Sequence, residues 1–455
     1  MDVSKGGFAM RHTFVPRFMS VAGAVTMTAG LLAVWAGPSS ARPAAVASVG
    51  QSLPDGTSCS TPVETIDGIP FTGSETFEVG FADAINLPAL YEINANGGIM
   101  CHQEKMTFFD DKSDAADALV AFDRQLALNS SISWTQGDTT TTPVLLPVAT
   151  RYKLPFLSAA GLGIYDKSTN PYFYRYAPPD PANGEAMAVW AQRKGYTRVA
   201  TVFGTDAGSQ GDLPGVINGL KAIHAKLVTQ INIVPDQPNY RTDVERLLAS
   251  KPQVIMTESD GPTASTFFSE LKQLGSLVPI IGTSGVPSES YIGPLSKGIG
   301  TANLAKDFVA VVIGVPNPSA PAYKIYANDV SSVRTKLEAP WQQWVGNPYT
   351  LNGYSSAIIF ALAMDWAHST VGSVFNKYIP MVTAPGKNKV VVHSYKAGVA
   401  ALKAGKSIQY VGALGPMVLN KYHNWFPDEA VQTFSPSAAA SVVGVVTTKQ
   451  IQKLG

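Results

Sequence analysis

Four consecutive threonines, Thr139 to Thr142, follow Gly137-Asp138 and run into Pro143. Hydroxyls at a helix start, together with amide N–H groups that no helical carbonyl satisfies, can cradle a carboxylate. The same hydroxyls also serve as ordinary helix caps, a task that one Thr completes. Small, hydroxylic and acidic residues gather in further loops: Ser158-Ala159-Ala160-Gly161, the stretch Thr205 to Gly211 with Asp206 and Ser209, Glu258-Ser259-Asp260, and Gly282-Thr283-Ser284-Gly285. Acids such as Glu258 and Asp260 pair well with an amine or with several hydroxyls. Their plainer role is that of a solvated loop acid or a charge at a helix start.

Groups for bond-breaking chemistry are missing from the pattern. No Gly-x-Ser-x-Gly elbow presents a nucleophile. The six histidines (12, 102, 224, 368, 393 and 423) are scattered without ligand spacing, and no Cys-x-x-Cys occurs, so neither a metal nor a cofactor is expected. Ala404-Gly405-Lys406-Ser407 has the tail of a phosphate loop, but Ala400 stands where the upstream Gly is required. A net charge of +1 without a dense Lys/Arg run recommends no nucleic-acid partner. The residues point to binding, and an enzyme is not expected.

The N-terminus carries a processing signal. Lys5, Arg11 and Arg17 precede an apolar run from Phe18 to Gly37, followed by Ser39-Ser40-Ala41-Arg42-Pro43. This reads as a secretory signal peptide over residues 1–41, with an uncleaved anchor as the alternative. Residues 42–60, rich in Pro, Ser, Ala and Gly, read as a linker. No Cys closely follows the apolar run, so a lipid-attached form is not expected. The destination is the periplasm or the cell surface. Cys59 and Cys101, the two cysteines of an exported chain, read as a disulfide, with buried free thiols as the alternative.

The elements that must position these loops come in alternation. Strands are expected at Val63–Ile69, Glu104–Phe109, Ser131–Thr135 and Phe156–Ala159, with helices at 74–96, 114–128 and 143–152 between them. The rhythm repeats from Arg198 to Gly282, with strands at 198–203, 228–234, 254–257 and 278–282. Such alternation marks a parallel sheet covered by helices on both faces. Tyr174 to Asp180 is the expected crossing between the two units. A third block carries a long helix at Asn352–His368, and Ala440–Val446 is expected to join an existing sheet. With 455 residues, 45% of them apolar and 15% charged, the chain is folded and exceeds a single core. In a doubly wound sheet the first two strands are parallel neighbours. Cys59 and Cys101 precede those strands at the same end, within bridging reach.

The motifs along this frame resemble a known family. Tyr91-Glu92-Ile93-Asn94-Ala95-Asn96-Gly97-Gly98-Ile99, Pro70-Phe71-Thr72-Gly73, Asp110 to Asp114, Asn170 to Arg175 and Ala404 to Pro416 are similar, in order and spacing, to segments of the leucine/isoleucine/valine-binding proteins of ABC transporters. The resemblance implies an α/β fold of two doubly wound parallel-sheet lobes joined by a three-segment hinge, the type I periplasmic-binding-protein fold. Residues 61–178 and 315–432 would form the first lobe, and 179–314 and 433–455 the second. It also implies a monomer that holds a small polar solute in the inter-lobe cleft and delivers it to the membrane permease of an ABC transporter.

Carried over position by position, the family's carboxylate-binding Ser falls among Thr139, Thr140 and Thr141. Ser158 and Ala160 match the next segment, whose Thr is replaced by Leu162. The aromatic of the first helix falls on Glu78, one Tyr falls near Gly208 between Asp206 and Ser209, and another falls at Asp260 or Gly261, just after Glu258. The acid that pairs with the ligand amine falls on Ser284, beside Thr283. Aromatic walls are thus exchanged for acids and hydroxyls, so the expected solute is an amino acid or a similarly small polar molecule. A ligand-sensing module for a membrane signalling protein, and a secreted α/β enzyme, are the alternative readings.

Overall fold

Short runs of β-branched and aromatic residues, most of them ending in Gly or a polar residue, form the strands of two parallel sheets. The computed structural model describes residues 59–454 except 74–77, 276, 315–316, 339–340 and 438. The expected signal segment and most of the expected linker lie outside the described residues.

Five strands build the first sheet: β1 (Val63–Ile69), β2 (Glu104–Asp110), β3 (Ile132–Gly137), β4 (Phe156–Ser158) and β5 (Phe173–Arg175). They run parallel in the order β2-β1-β3-β4-β5. The next five, β6 (Arg198–Gly204), β7 (Lys226–Ile233), β8 (Val254–Glu258), β9 (Ile280–Gly282) and β10 (Phe308–Ile313), repeat that order as β7-β6-β8-β9-β10. A small separate sheet holds β11 (Val390–Val392), β12 (Ile408–Gly412) and β13 (Gly415–Pro416). Then β14 (Glu429–Phe434) and β15 (Ala440–Val446) add antiparallel beside β10. The terminal apolar run is therefore an edge strand of the second sheet, as expected. Around the boundary expected at residue 432, β14 pairs with β10 from Glu429 to Thr433. The last crossing between sheets thus lies upstream, between Pro416 and Glu429.

Strand period places the cores. In β6, Val199 and Phe203 face a cluster with Met187, Trp190 and Val216, while Ala200 and Val202 face another with Phe267, Leu295 and Phe308. Side chains alternate across a strand, so each fully covered sheet needs apolar residues at consecutive positions. The first sheet is covered likewise. Ile66 and Phe156 pack with Phe122 and Leu145 on one face, and Trp134 and Tyr174 pack with Ile85, Leu351 and Phe360 on the other.

That second face rests on the long helix Pro348–Ala367, which is buried from Thr350 through Asp365. A helix apolar on all sides belongs inside. It starts a turn earlier than the sequence suggested, because the Asn347 side chain accepts from the Tyr349 N–H at 2.9 Å and Pro348 occupies the first helical position. Where it crosses the helix Val79–Ala95, a Cβ added to Gly353 would come within 2.6 Å of Ile85, so only Gly permits that approach.

The expected disulfide is present. Cys59 and Cys101 are joined with Cα atoms 5.5 Å apart, just ahead of the paired positions Val63 and Glu104 of β1 and β2. Strand order fixes the bond, since both cysteines enter neighbouring strands from the same end. Among the described residues no helix is long and apolar enough to cross a membrane.

Candidate functional site

Each sheet reverses its strand order once, between β1 and β3 and between β6 and β8. Open α/β sheets bind ligands outside the carboxyl ends of strands at such switch points. At the first, an open recess of about 390 Å³ lies between the ends of β1 and β3 and the helix Val79–Ala95. Its polar lining is Asp67, Glu78, Asn86, Gln136, Asp138 and Tyr176.

Beneath it lies a closed network. Asp67 Oδ2 accepts from Asn86 Nδ2 and from Gln136 Nε2, each at 2.8 Å, and Gln136 Nε2 also donates to Asn86 Oδ1 at 2.7 Å. Burial pushes the Asp67 carboxyl well above the usual carboxylate range, and the charges of Asp138 and Asp111 push it further, against the Asn86 and Gln136 bonds. Tyr176 is only 4% exposed, and its hydroxyl has no hydrogen-bond partner among the described residues. Burial, followed by the charges of Asp67, Glu78 and Asp138, raises its pKa.

The threonine loop forms the adjoining wall. Asp138 Oδ1 accepts from the Thr141 amide at 2.7 Å and from Thr141 Oγ1 at 2.8 Å, while the Asp138 amide donates back to Thr141 Oγ1 at 3.0 Å. Thr142 Oγ1 lies 2.9 Å from Ser158 Oγ, which accepts the Ala160 amide at 3.0 Å. The cradle read from the hydroxyls therefore exists, and this chain's own Asp138 carboxylate sits in it. Thr139 and Thr140 stand half-buried on the loop.

On the second lobe the predicted residues divide. Asp206 and Asp260 are exposed helix caps, accepting from the Ser209 and Thr263 amides at 2.8 Å each. Glu258, at the end of β8, gathers with Thr283 and Asp212. Burial raises Glu258 and Asp212, and the charge of Glu258 adds to the rise at Asp212. Asp180 joins this cluster with its pKa pushed up to about 7, first by burial and then by the Glu258 charge, while Arg175 opposes the shift. Its carboxylate is clasped by backbone from both lobes. A Cβ on Gly161 would lie 1.5 Å from Asp180 Oδ1, and one on Gly211 2.3 Å from Oδ2, so a side chain at either position would displace the Asp180 carboxylate.

Ser284 bridges the lobes. Its amide donates to Asn183 Oδ1 at 2.9 Å, and its hydroxyl lies 2.8 Å from Tyr349 Oη. The buried cation nearby, Arg175, is fully committed: Nη2 to Asp166 at 2.7 Å, Nε to Asn424 Oδ1 at 3.0 Å and Nη1 to the Leu162 carbonyl at 3.1 Å. Among the described residues no group of three or more His, Cys, Asp or Glu is arranged to hold a metal ion.

Of the predicted residues, Glu78 lines the recess, and Glu258, Thr283 and Ser284 gather on the facing lobe. Asp206, Ser209 and Asp260 build helix starts, and Thr141, Ser158 and Ala160 bond to one another's neighbours. Sequence reasoning missed Asp67, Asn86, Gln136, Asp138, Tyr176, Asp180, Asp212 and Tyr349 as site residues. One signal was available: Asp67 and Gln136 are polar residues at the carboxyl ends of strands that are otherwise covered on both faces.

Comparison with known proteins agrees with this fold. A leucine-binding protein of Thermotoga maritima superposes with a TM-score of 0.65 at 15% identity, covering 85% of this chain and 99% of that one. A branched-chain amino acid transporter substrate-binding protein of Streptococcus pneumoniae, solved with isoleucine, gives 0.64 at 15% identity with coverage of 85% and 99%. An ABC-transporter solute-binding protein of R. palustris, solved with benzoate, gives 0.62 at 15% identity with coverage of 85% and 97%. Glutamate receptor 2.4 of Arabidopsis thaliana is 23% identical over 272 residues, 58% of this chain. The chain spans 29% of that receptor's length. These likenesses establish the two-lobed fold, with mixed α/β lobes of the type I kind. The periplasmic binding protein family model matches residues 70–385, and the chain belongs to that family.

Proposed function

We propose that this protein is an extracytoplasmic solute-binding protein of an ABC transporter. It captures a small polar solute between its lobes and hands it, unaltered, to a membrane permease. One observation supports the reading: polar groups of the two lobes meet directly. Ser284 of the second lobe meets Tyr349 of the first, and Asp180 is clasped by Gly161 on one side and Gly211 on the other. Glu78, Asp67 and Tyr176 would meet the solute from the first lobe, and Glu258, Thr283 and Ser284 from the second on closure. Residues 1–41 would direct export as a signal peptide, and the mature chain would act as a monomer.

Native mass spectrometry of the purified mature protein tests the binding role through a co-purified small molecule. Deletion tests the transport role, which predicts lost uptake of that molecule. A sensory role is the second reading, favoured by the similarity to a plant glutamate receptor. It predicts intact uptake with a lost transcriptional response.

A further inference from the structure

We infer that the solute held in the first-lobe recess is an organic cation without a carboxylate, an amine or a quaternary ammonium compound. This inference rests on the receptor reading above and narrows its substrate class.

The first argument is that the place for a ligand carboxylate is taken. Amide and hydroxyl donors at the start of the helix Thr142–Arg151 would cradle such a group. The Thr141 amide and hydroxyl instead serve Asp138, and the Ala160 amide serves Ser158. A ligand carboxylate would have to displace a covalently tethered one that sits only three residues from its donors.

The second argument is charge. Asp67, Glu78 and Asp138 line the recess from three different elements, and no Lys or Arg lines it. Arg175 cannot swing in as a counter-ion, because it is buried and each of its nitrogens is bonded. Closure removes water and strengthens the field of the acids that line the recess, Glu78 and Asp138 among them, which draws in a cation and repels an anion.

A third, independent observation points to a missing partner. The Tyr176 side chain is 4% exposed, lines the recess near Asp67, Glu78 and Asp138, and its hydroxyl has no hydrogen-bond partner among the described residues. A hydroxyl that opens into the recess without a protein partner can bond to a ligand group there. Phe81 and Tyr176 also bring aromatic rings to the recess, whose faces attract ammonium groups.

Calorimetry of the mature protein decides the matter with chain-matched probes. These are 1,4-diaminobutane, 4-aminobutanoate and butane-1,4-diol, with spermidine and choline extending the amine set. At least one amine binds, and the aminobutanoate and the diol bind at least about tenfold more weakly. Glu78→Gln, at a half-buried position on the recess wall, weakens amine binding by about tenfold. Asp67→Asn does the same through the floor of the recess. If no amine binds, if the diol or the aminobutanoate binds as tightly, or if both variants bind as the parent does, the inference falls. A neutral or acidic molecule co-purifying with the protein overturns the cation class while leaving the receptor reading intact. Absence of any co-purified or bound solute overturns both.

Discussion

Ser284 Oγ and Tyr349 Oη lie 2.8 Å apart, one after the last buried turn of β9 and the other in the first turn of the helix beneath the opposite sheet. This hydrogen bond ties the second lobe to the first beside the acidic cluster of Asp180, Asp212 and Glu258. A net protein hydrogen bond contributes about 1 kcal/mol, enough to shift a two-state lobe equilibrium severalfold.

Tyr349→Phe and Ser284→Ala are therefore expected to shift the free protein toward an open arrangement. Small-angle scattering should give a larger radius of gyration for each. The double variant should open no further than either single one, because both remove the same bond. Additive opening would dissociate the two residues.

The Cys59–Cys101 bond closes a loop with a sequence separation of 42. Chain-entropy arguments assign about 4 kcal/mol to a closed loop of this length. Replacing both cysteines by Ser should lower the urea midpoint accordingly, and reductant should have no further effect on the variant. A midpoint equal to that of the parent would show that strand pairing alone holds the ends.

Glu429 is 1% exposed, accepts from Asn183 Nδ2 at 2.7 Å, and has its pKa pushed up to about 8, chiefly by burial and secondarily by Glu185. The folded state thus binds a proton that the unfolded state releases near its ordinary value. Stability contributed by the protonated form is complete below pH ~4 and is lost as pH rises toward 8. Glu429→Gln should remove that loss, so that its stability relative to the parent rises by about 4 kcal/mol between pH 4 and pH 8. Urea titrations at the two pH values check this, and parallel stability profiles would refute it.

Asp138 caps the threonine loop from within. Asp138→Ala should cost about 1 kcal/mol, the usual value of a lost helix cap. Acetate, supplied to the vacated donors, should raise the melting temperature of the variant and leave the parent unmoved. An equal response in both proteins would mean that the donors do not form a carboxylate cradle.

Much of the frame was legible residue by residue. Alternating strands and helices and the helix-start role open to Asp260 depend on neighbours a few positions away. The Asp138–Thr141 bond is equally local, yet four threonines drew attention to the hydroxyls rather than to the acid that uses them. The partner of β14 was not legible, because the strand joins the second sheet only through pairing with β10, more than a hundred residues earlier.

By itself the sequence determined two α/β units, a disulfide ahead of the first two strands and a terminal strand that joins an existing sheet. Period, capping and turn chemistry act over a handful of residues and leave their mark there. Only the tertiary structure decided which polar groups meet. Asp67, Asn86 and Gln136 are 19 to 69 positions apart, and Ser284 and Tyr349 are 65 apart. Strand order and helix packing bring them together, and those are properties of the whole chain. The filled cradle, the acidic recess and the Tyr176 hydroxyl that opens into it belong to that second kind of information.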